Sequence, residues 1–203
     1  MMKSALPVKV EVPYNKKIGV FVSGGWDSAV LLYLIWDKCI KQGNKIHIYT
    51  VPKLDGAVKY AEQVINWCRH KLFSYHVKQQ IVGDISADNP SSYVRSGVME
   101  VLESGEVDIV YVAVTKYYDG MEPDQERVFT SGTSYEYIVR QPFADMTKDE
   151  TVQLAFDLDI ADDIMDITHS CTELDEGRCG YCPWCKERVW AFEKVGKIDK
   201  GTN

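Results

Sequence analysis

A chain of 203 residues, 45% hydrophobic and 26% charged, holds enough apolar mass for one core-bearing domain with room for a small appended module. Its net charge of −7 and pI near 5.1 argue against a broad electrostatic footprint for nucleic acid or anionic lipid. No apolar run reaches the roughly 18 residues that span a bilayer, and the opening MMKSALPVKVEVP lacks the apolar core of a signal peptide, so the expected setting is cytosolic, with no membrane partner.

In chain order, Val8, Val10 and Val12 alternate with charged residues between Pro7 and Pro13, which predicts a short half-buried or edge strand. Residues 17–22 read as a near-continuous apolar strand, followed from Asp27 to about Lys41 by a helix apolar on most faces, the pattern of a central strand and its buried helix. HIYTV at 47–51 is a second strand. Ala57, Tyr60, Ala61, Val64, Ile65 and Cys68 have the three-four spacing of a second helix. SYHVKQQIV at 74–82 is a third strand, residues 92–103 a third helix and VDIVYVAVT at 107–115 a fourth strand. Strands alternating with helices predict an α/β fold, a parallel sheet covered on both faces. The polar stretch from Lys116 to Gln141 is longer than an ordinary connection and reads as a functional loop. TKDE at 147–150 is a capping box, with Thr147 as N-cap and Glu150 reaching back, ahead of a helix carrying Leu154, Ala155 and Leu158. The tail after Gly196 is expected to fray.

The turn SGGWDS at 23–28 stands between the first strand and its helix with no residue to spare. Glycines at a strand-to-helix turn bring backbone N–H groups and a helix N-terminus to one point, an arrangement that holds phosphate. The turn lacks the lysine and spacing of GxxxxGK[ST] and is not GxGxxG, so neither an ordinary P-loop nor a dinucleotide fingerprint fits. Ser23 and Ser28 can donate to phosphate oxygens, Gly24 and Gly25 permit close backbone approach, and Asp27 can orient Mg²⁺ or the loop itself. A tight turn with an N-cap is the plainer alternative.

Four of the six cysteines, Cys171, Cys179, Cys182 and Cys185, crowd into fifteen residues as a single cysteine followed, after seven intervening residues, by two overlapping CxxC pairs. This spacing lets four thiolates enclose one Zn²⁺ in a closed structural site, with a redox pair or an iron–sulfur cluster as the alternatives. Cys39 and Cys68 fall in apolar helical patterns and read as buried small hydrophobes. Histidines 47, 70, 76 and 169 have no mutual spacing for a metal site or triad and read as structural.

SGGWDS resembles the SGGxDS signature of the N-type ATP pyrophosphatases, the PP-loop enzymes. That resemblance implies a Rossmann-like fold whose loop holds the β and γ phosphates of ATP while an acid attacks the α-phosphate, giving an adenylate and pyrophosphate. Together with QPFADMTKDETVQLA at 141–155 and THSCTELDEGRCGYCPWCKERVWAFEKVGKID at 168–199, it resembles more narrowly the 7-cyano-7-deazaguanine synthase (QueC) family. The resemblance implies conversion of 7-carboxy-7-deazaguanine and ammonia to the nitrile, dependent on ATP, Mg²⁺ and a Zn²⁺ site, in a homodimer. It implies a PP-loop domain over 1–165 and a zinc-binding segment over 166–203 packed on it. The middle departs from the family pattern: HIYTVPKLDG stands where a DYGQ-like stretch is usual, and NPSSYVRSG at 89–97 where a PGRN-like segment is. An adenylating amidase or ligase for a related acid therefore stays open, as does a non-enzymatic nucleotide-binding subunit.

Single residues follow from these frames. Lys148, in the first turn of the capped helix, opposes the helix dipole unless an anion compensates; the resemblance puts a lysine here near ATP phosphates, giving Asp27 and Lys148 as catalytic candidates. Arg188 either braces the cysteine loop or meets phosphate. Arg95, in the altered segment, and Lys116 and Asp119, past the fourth strand, are the candidate substrate contacts.

Overall fold

The computed structural model describes residues 8–53, 55–83, 90–121 and 137–201. One sheet organises them: β1 (Lys17–Phe21), β2 (Lys45–Thr50), β3 (Gln79–Ile81), β4 (Ile109–Tyr111) and β5 (Val139–Arg140), in the order β3-β2-β1-β4-β5. All pairings are parallel, with β1 central: Ile18 is registered against Ile46 on one side and Ile109 on the other. The chain builds outward from β1 through β2 to β3, then returns to lay β4 on the free side of β1. Strand order therefore reverses between β1 and β4, which opens a crevice at their C-terminal ends.

The period of two in β1 sends alternate side chains to opposite faces. Ile18, Val20 and Val22 enter the larger core with α1 (Trp26–Gln42), α2 (Ala57–Lys71), α4 (Lys148–Asp157), α5 (Ala161–Ile164) and α6 (Pro183–Lys194). Phe21 enters a smaller core with Tyr49, Val51, Val101 and Val110, covered by α3 (Pro90–Ser104). Helices thus cover both faces, as the alternating pattern predicts. Helix α1 is buried around most of its girth because it lies between the sheet and α4. It ends at Gly43, whose left-handed φ of 71° lets its N–H meet the Cys39 and Ile40 carbonyls.

Several boundaries differ from the sequence reading. Among the described residues, 8–12 pair with no strand, although Val10 and Val12 are buried in the larger core and the Glu11 carbonyl accepts from the Tyr111 hydroxyl. Alternation there reflects one-sided burial without a ladder. The third strand is confined to three residues because the turn before it spends its backbone elsewhere: Ser74 N–H donates to the Arg69 carbonyl, and the Arg69 guanidinium donates to the Val77 carbonyl at 2.9 Å. Within 116–141, β5 and the short α5 beyond it carry no sequence signal, being two and four residues long; most of that stretch, 122–136, lies outside the described residues. The tail does not fray through Gly201: Asp199 is buried between Arg188 (2.7 Å) and Arg178 (2.6 Å), and Gly201 is buried as well. Cys39 and Cys68 are buried in the core, as read.

Candidate functional site

The SGGWDS turn leaves β1 at the reversal of strand order and becomes the first turn of α1. Gly24 takes a φ of 80°, and a Cβ built there would stand 2.5 Å from the Tyr60 Cβ and 2.6 Å from the Ala61 nitrogen. The turn is therefore pressed against α2, and only glycine fits. Gly25 is the N-cap of α1 and brings no side chain to the helix end. The two serines knit the loop together. Ser23 Oγ donates to Ser28 Oγ (3.2 Å), Ser28 Oγ donates to the Gly25 carbonyl (2.9 Å), and Gly25 N–H donates to Ser23 Oγ (3.3 Å). Trp26 turns inward: it is fully buried, donates from Nε1 to the Thr151 carbonyl, and meets Phe192 edge-on at 5.0 Å. One indole thus locks the start of α1 to both α4 and α6.

Helix α4 completes this end. Glu150 accepts from Thr147 N–H at 2.8 Å, fixing the first turn, and Lys148 projects from that turn into a buried position. Its ammonium contacts the Asp27 carboxylate directly and lies 3.8 Å from Glu187 Oε2 on α6, while Asp27 Oδ1 accepts from the Thr151 hydroxyl at 2.7 Å. The anions that a cation at a helix N-terminus requires are thus Asp27 and Glu187.

These groups border a cavity of about 350 Å³. Ser23, Gly25, Asp27, Ser28, Lys148 and Glu187 line its polar end, and Phe21, Val51, Val98, Val112 and Val139 line an apolar recess over the strand ends. Arg95 is in the lining, whereas Lys116 and Asp119 are exposed and outside it. His169, read as structural, also lines it: its N–H donates to the Gly24 carbonyl (2.9 Å), and its ring stacks on Tyr60 at 4.3 Å. Arg188 is turned away. It is buried, chelates Asp199, and donates to the Thr168 and Met165 carbonyls, so it braces the tail and the turn before the cysteines.

The four thiols converge, with the sulfurs of Cys171, Cys179, Cys182 and Cys185 all within 4.8 Å of one another. Tetrahedral zinc at about 2.3 Å from each sulfur needs thiolates about 3.8 Å apart, and the Cys179–Cys185 separation is 4.0 Å. The backbone supplies the polarity such sulfurs need: Cys182 N–H donates to Cys179 Sγ, and Cys185 N–H to Cys182 Sγ at the N-cap of α6. Burial opposes ionisation of Cys179, but backbone donors from Cys182 and Tyr181 prevail and draw its thiol down to about 7. Burial pushes the Cys185 thiol up. The donor set fits a closed metal centre, and Cys171 and Trp184 bring its edge to the cavity wall.

Thr151 and Glu187 carried no separate sequence signal. Glu187 was legible only as a charge beside Arg188 on the face of α6 that also carries buried Ala191 and Phe192.

A parallel sheet with this glycine turn at its reversal point, a lysine facing the turn and beside them four thiols that could hold a metal ion make up a PP-loop fold with a C-terminal four-cysteine segment. Residues 119–196 match the family model described as "Queuosine biosynthesis protein QueC". The chain is 28% identical over 128 residues to the 7-cyano-7-deazaguanine synthase of a Nitratiruptor species, covering 55% of this chain and 57% of that one. It is 26% identical over 133 residues to the enzyme of the same name from Campylobacter concisus, covering 57% and 59%. Over part of its length the chain is thus similar to QueC proteins, and it spans somewhat over half the length of these relatives. In fold it is similar to the U34-tRNA thiolase NcsA from Methanococcus maripaludis with its [4Fe-4S] cluster, at a TM-score of 0.50 and 14% identity, over 90% of this chain and 67% of that one.

Proposed function

We propose that the protein is an ATP- and Mg²⁺-dependent enzyme that converts 7-carboxy-7-deazaguanine and ammonia to 7-cyano-7-deazaguanine. In this reading residues 1–165 supply the nucleotide fold and 166–203 the metal-holding segment. The carrying observation is the joint of Asp27 and Lys148 at the glycine turn, on the same cavity as the cysteine centre. The backbone of Gly24 and Gly25 with Ser23 and Ser28 would hold the β and γ phosphates, Asp27 would be the partner for Mg²⁺, and Lys148 would counter the charge that grows on departing pyrophosphate. Mg²⁺ would supply charge neutralisation there.

The substrate carboxylate attacks the α-phosphorus, the bond to the bridging oxygen breaks, and pyrophosphate leaves with its electron pair. Ammonia then attacks the acyl carbon, AMP departs with the carboxylate oxygen, and loss of a proton gives the amide. Adenylation of the amide oxygen by a second ATP, followed by loss of AMP and a proton, leaves the nitrile. Arg95 is the candidate partner for the acid, and zinc held by Cys171, Cys179, Cys182 and Cys185 keeps α6 in place without joining these steps.

The departures at 47–56 and 89–97 border this cavity through Val51, Lys53, Asp55, Val94 and Arg95, and they favour a second reading in which the acid differs or reaction stops at the amide. Incubation with ATP, Mg²⁺, ammonium and the carboxy-deazaguanine, followed by mass spectrometry, separates the cases. Nitrile supports the first and amide alone the second; absence of AMP release with this acid rejects both for this substrate. Metal analysis decides between zinc and iron at the cysteines.

A further inference from the structure

The glycine turn offers an anion a backbone whose polarity depends on which way one peptide faces. In a trans peptide the carbonyl and the N–H point to opposite sides, so the unit joining Gly24 to Gly25 presents a donor on one side and an acceptor on the other. Here the Gly24 carbonyl accepts from the His169 N–H at 2.9 Å, and the Gly25 N–H is directed at Ser23 Oγ, 3.3 Å away at the polar end of the cavity. With glycine on both sides, no Cβ resists rotation of this peptide. A half-turn would put the carbonyl where the donor stands, and an anion would meet lone pairs instead of an N–H.

His169 is 7% exposed and held from two directions. Its ring stacks on Tyr60 of α2, with centroids 4.3 Å apart and planes within 6°, and its Nε2 donates to the Leu174 carbonyl at 2.8 Å. Tyr60 is also the residue whose Cβ fills the space beside Gly24. The chain just beyond is seated on the start of α2: a Cβ at Gly56 would stand 3.0 Å from the Asp175 carbonyl, and Lys59 pairs with Glu176. We infer that His169 is a positioning residue for the anion site: by anchoring its own N–H on the Gly24 carbonyl, it keeps the Gly25 N–H turned toward the ligand. The inference rests on the reading that the glycine turn receives phosphate. His169 stands two residues before Cys171, so the segment that supplies the first thiol also sets the polarity of the turn.

The test combines amide exchange followed by NMR with calorimetric titration of the 203-residue chain by the magnesium complex of a non-hydrolysable ATP analogue, for wild type, His169→Ala, His169→Gln and His169→Phe. Metal content and melting temperature are measured alongside. Gln can still donate to the Leu174 carbonyl and Phe can still stack on Tyr60, so each keeps one of the two holds that Ala loses, and these two carry the test if Ala does not fold. In His169→Ala the amide of residue 169 should exchange about tenfold faster, with β1 and α2 as protected as in wild type, and affinity for the analogue should fall about tenfold. Gln and Phe should lie between, the loss of affinity following the gain in exchange. A folded, metal-replete His169→Ala protein with wild-type affinity overturns the inference. So does affinity lost while the residue-169 amide stays as slow as in wild type, which would make the ring a ligand contact. If wild type does not bind the analogue, the phosphate reading falls and this inference with it.

Discussion

At Gly24 and Gly25 two neighbouring glycines answer different demands, and substitution separates them. Gly24 has a left-handed φ, and its missing Cβ is the space into which Tyr60 and Ala61 pack. Gly24→Ala should cost about 2–4 kcal/mol in urea unfolding, since both backbone strain and overpacking act. Gly25 is extended, and a Cβ there meets nothing closer than the His169 carbonyl and Ser23 Oγ, each at 3.4 Å. Gly25→Ala should therefore fold with a loss under about 1 kcal/mol. If the turn receives phosphate, the added methyl stands where the ligand must approach, and affinity for the magnesium complex of an ATP analogue should fall at least about tenfold. Full affinity in a stable Gly25→Ala protein would count against the turn as the phosphate site.

Among the elements, long periodic segments were legible, whereas of the short strands β3 and β4 were read only within longer segments and β5 not at all. α1, α2 and α4 lie where periodicity and the capping box put them, because each buries a stripe wide enough to mark the sequence. β3 and β5 each have three residues or fewer and are defined by a neighbour's hydrogen bonds, which no local pattern encodes. The site divides the same way. The turn and the cysteine cluster are contiguous motifs and could be read; Thr151 and Glu187 join Asp27 and Lys148 only through the packing of α4 and α6. The tail was misread for a related reason: Lys197–Gly201 has no regular structure and is held by the Asp199 carboxylate, locked between two arginines. Burial raises that carboxyl, but Arg188 and Arg178 prevail and hold it below its ordinary value of 3.8. A depressed folded-state value stabilises the fold above the unfolded value and is lost as pH falls through the folded one. Asp199→Asn should thus cost about 2–3 kcal/mol near neutral pH. The gap between wild type and variant in urea midpoints should close below about pH 4. A gap that stays constant down to pH 2 would mean the Asp199 charge contributes nothing.

On the scale of the whole molecule, the cysteine segment shares the main core with the sheet layer: Ala191 and Phe192 of α6 belong to it, and Phe192 meets Trp26 at the first turn of α1. Losing the metal should therefore be felt at the phosphate end without dissolving the sheet. Cys182→Ser tests this cleanly, because serine keeps an oxygen at the N-cap of α6 while removing one thiolate, so the change reports on the metal and not on the cap. Metal ligation contributes on the order of 10 kcal/mol in isolated zinc peptides. In this chain a part of that, about 3 kcal/mol, should be lost, lowering the melting temperature by roughly 6–12 °C for a domain of this size. Hydrogen exchange should accelerate first in α6 and the tail to Gly201, then at the start of α1, whereas the central strands β1, β2 and β4 keep their protection because Ile18, Val20, Ile48 and Val110 remain fully buried. Nucleotide affinity should fall with that order, since Glu187 and the contact to Lys148 ride on α6. A Cys182→Ser protein with a full complement of metal and unchanged exchange in α6 would show that the four thiols do not hold this end of the fold, and visible absorption with bound iron would replace zinc as the ion they enclose.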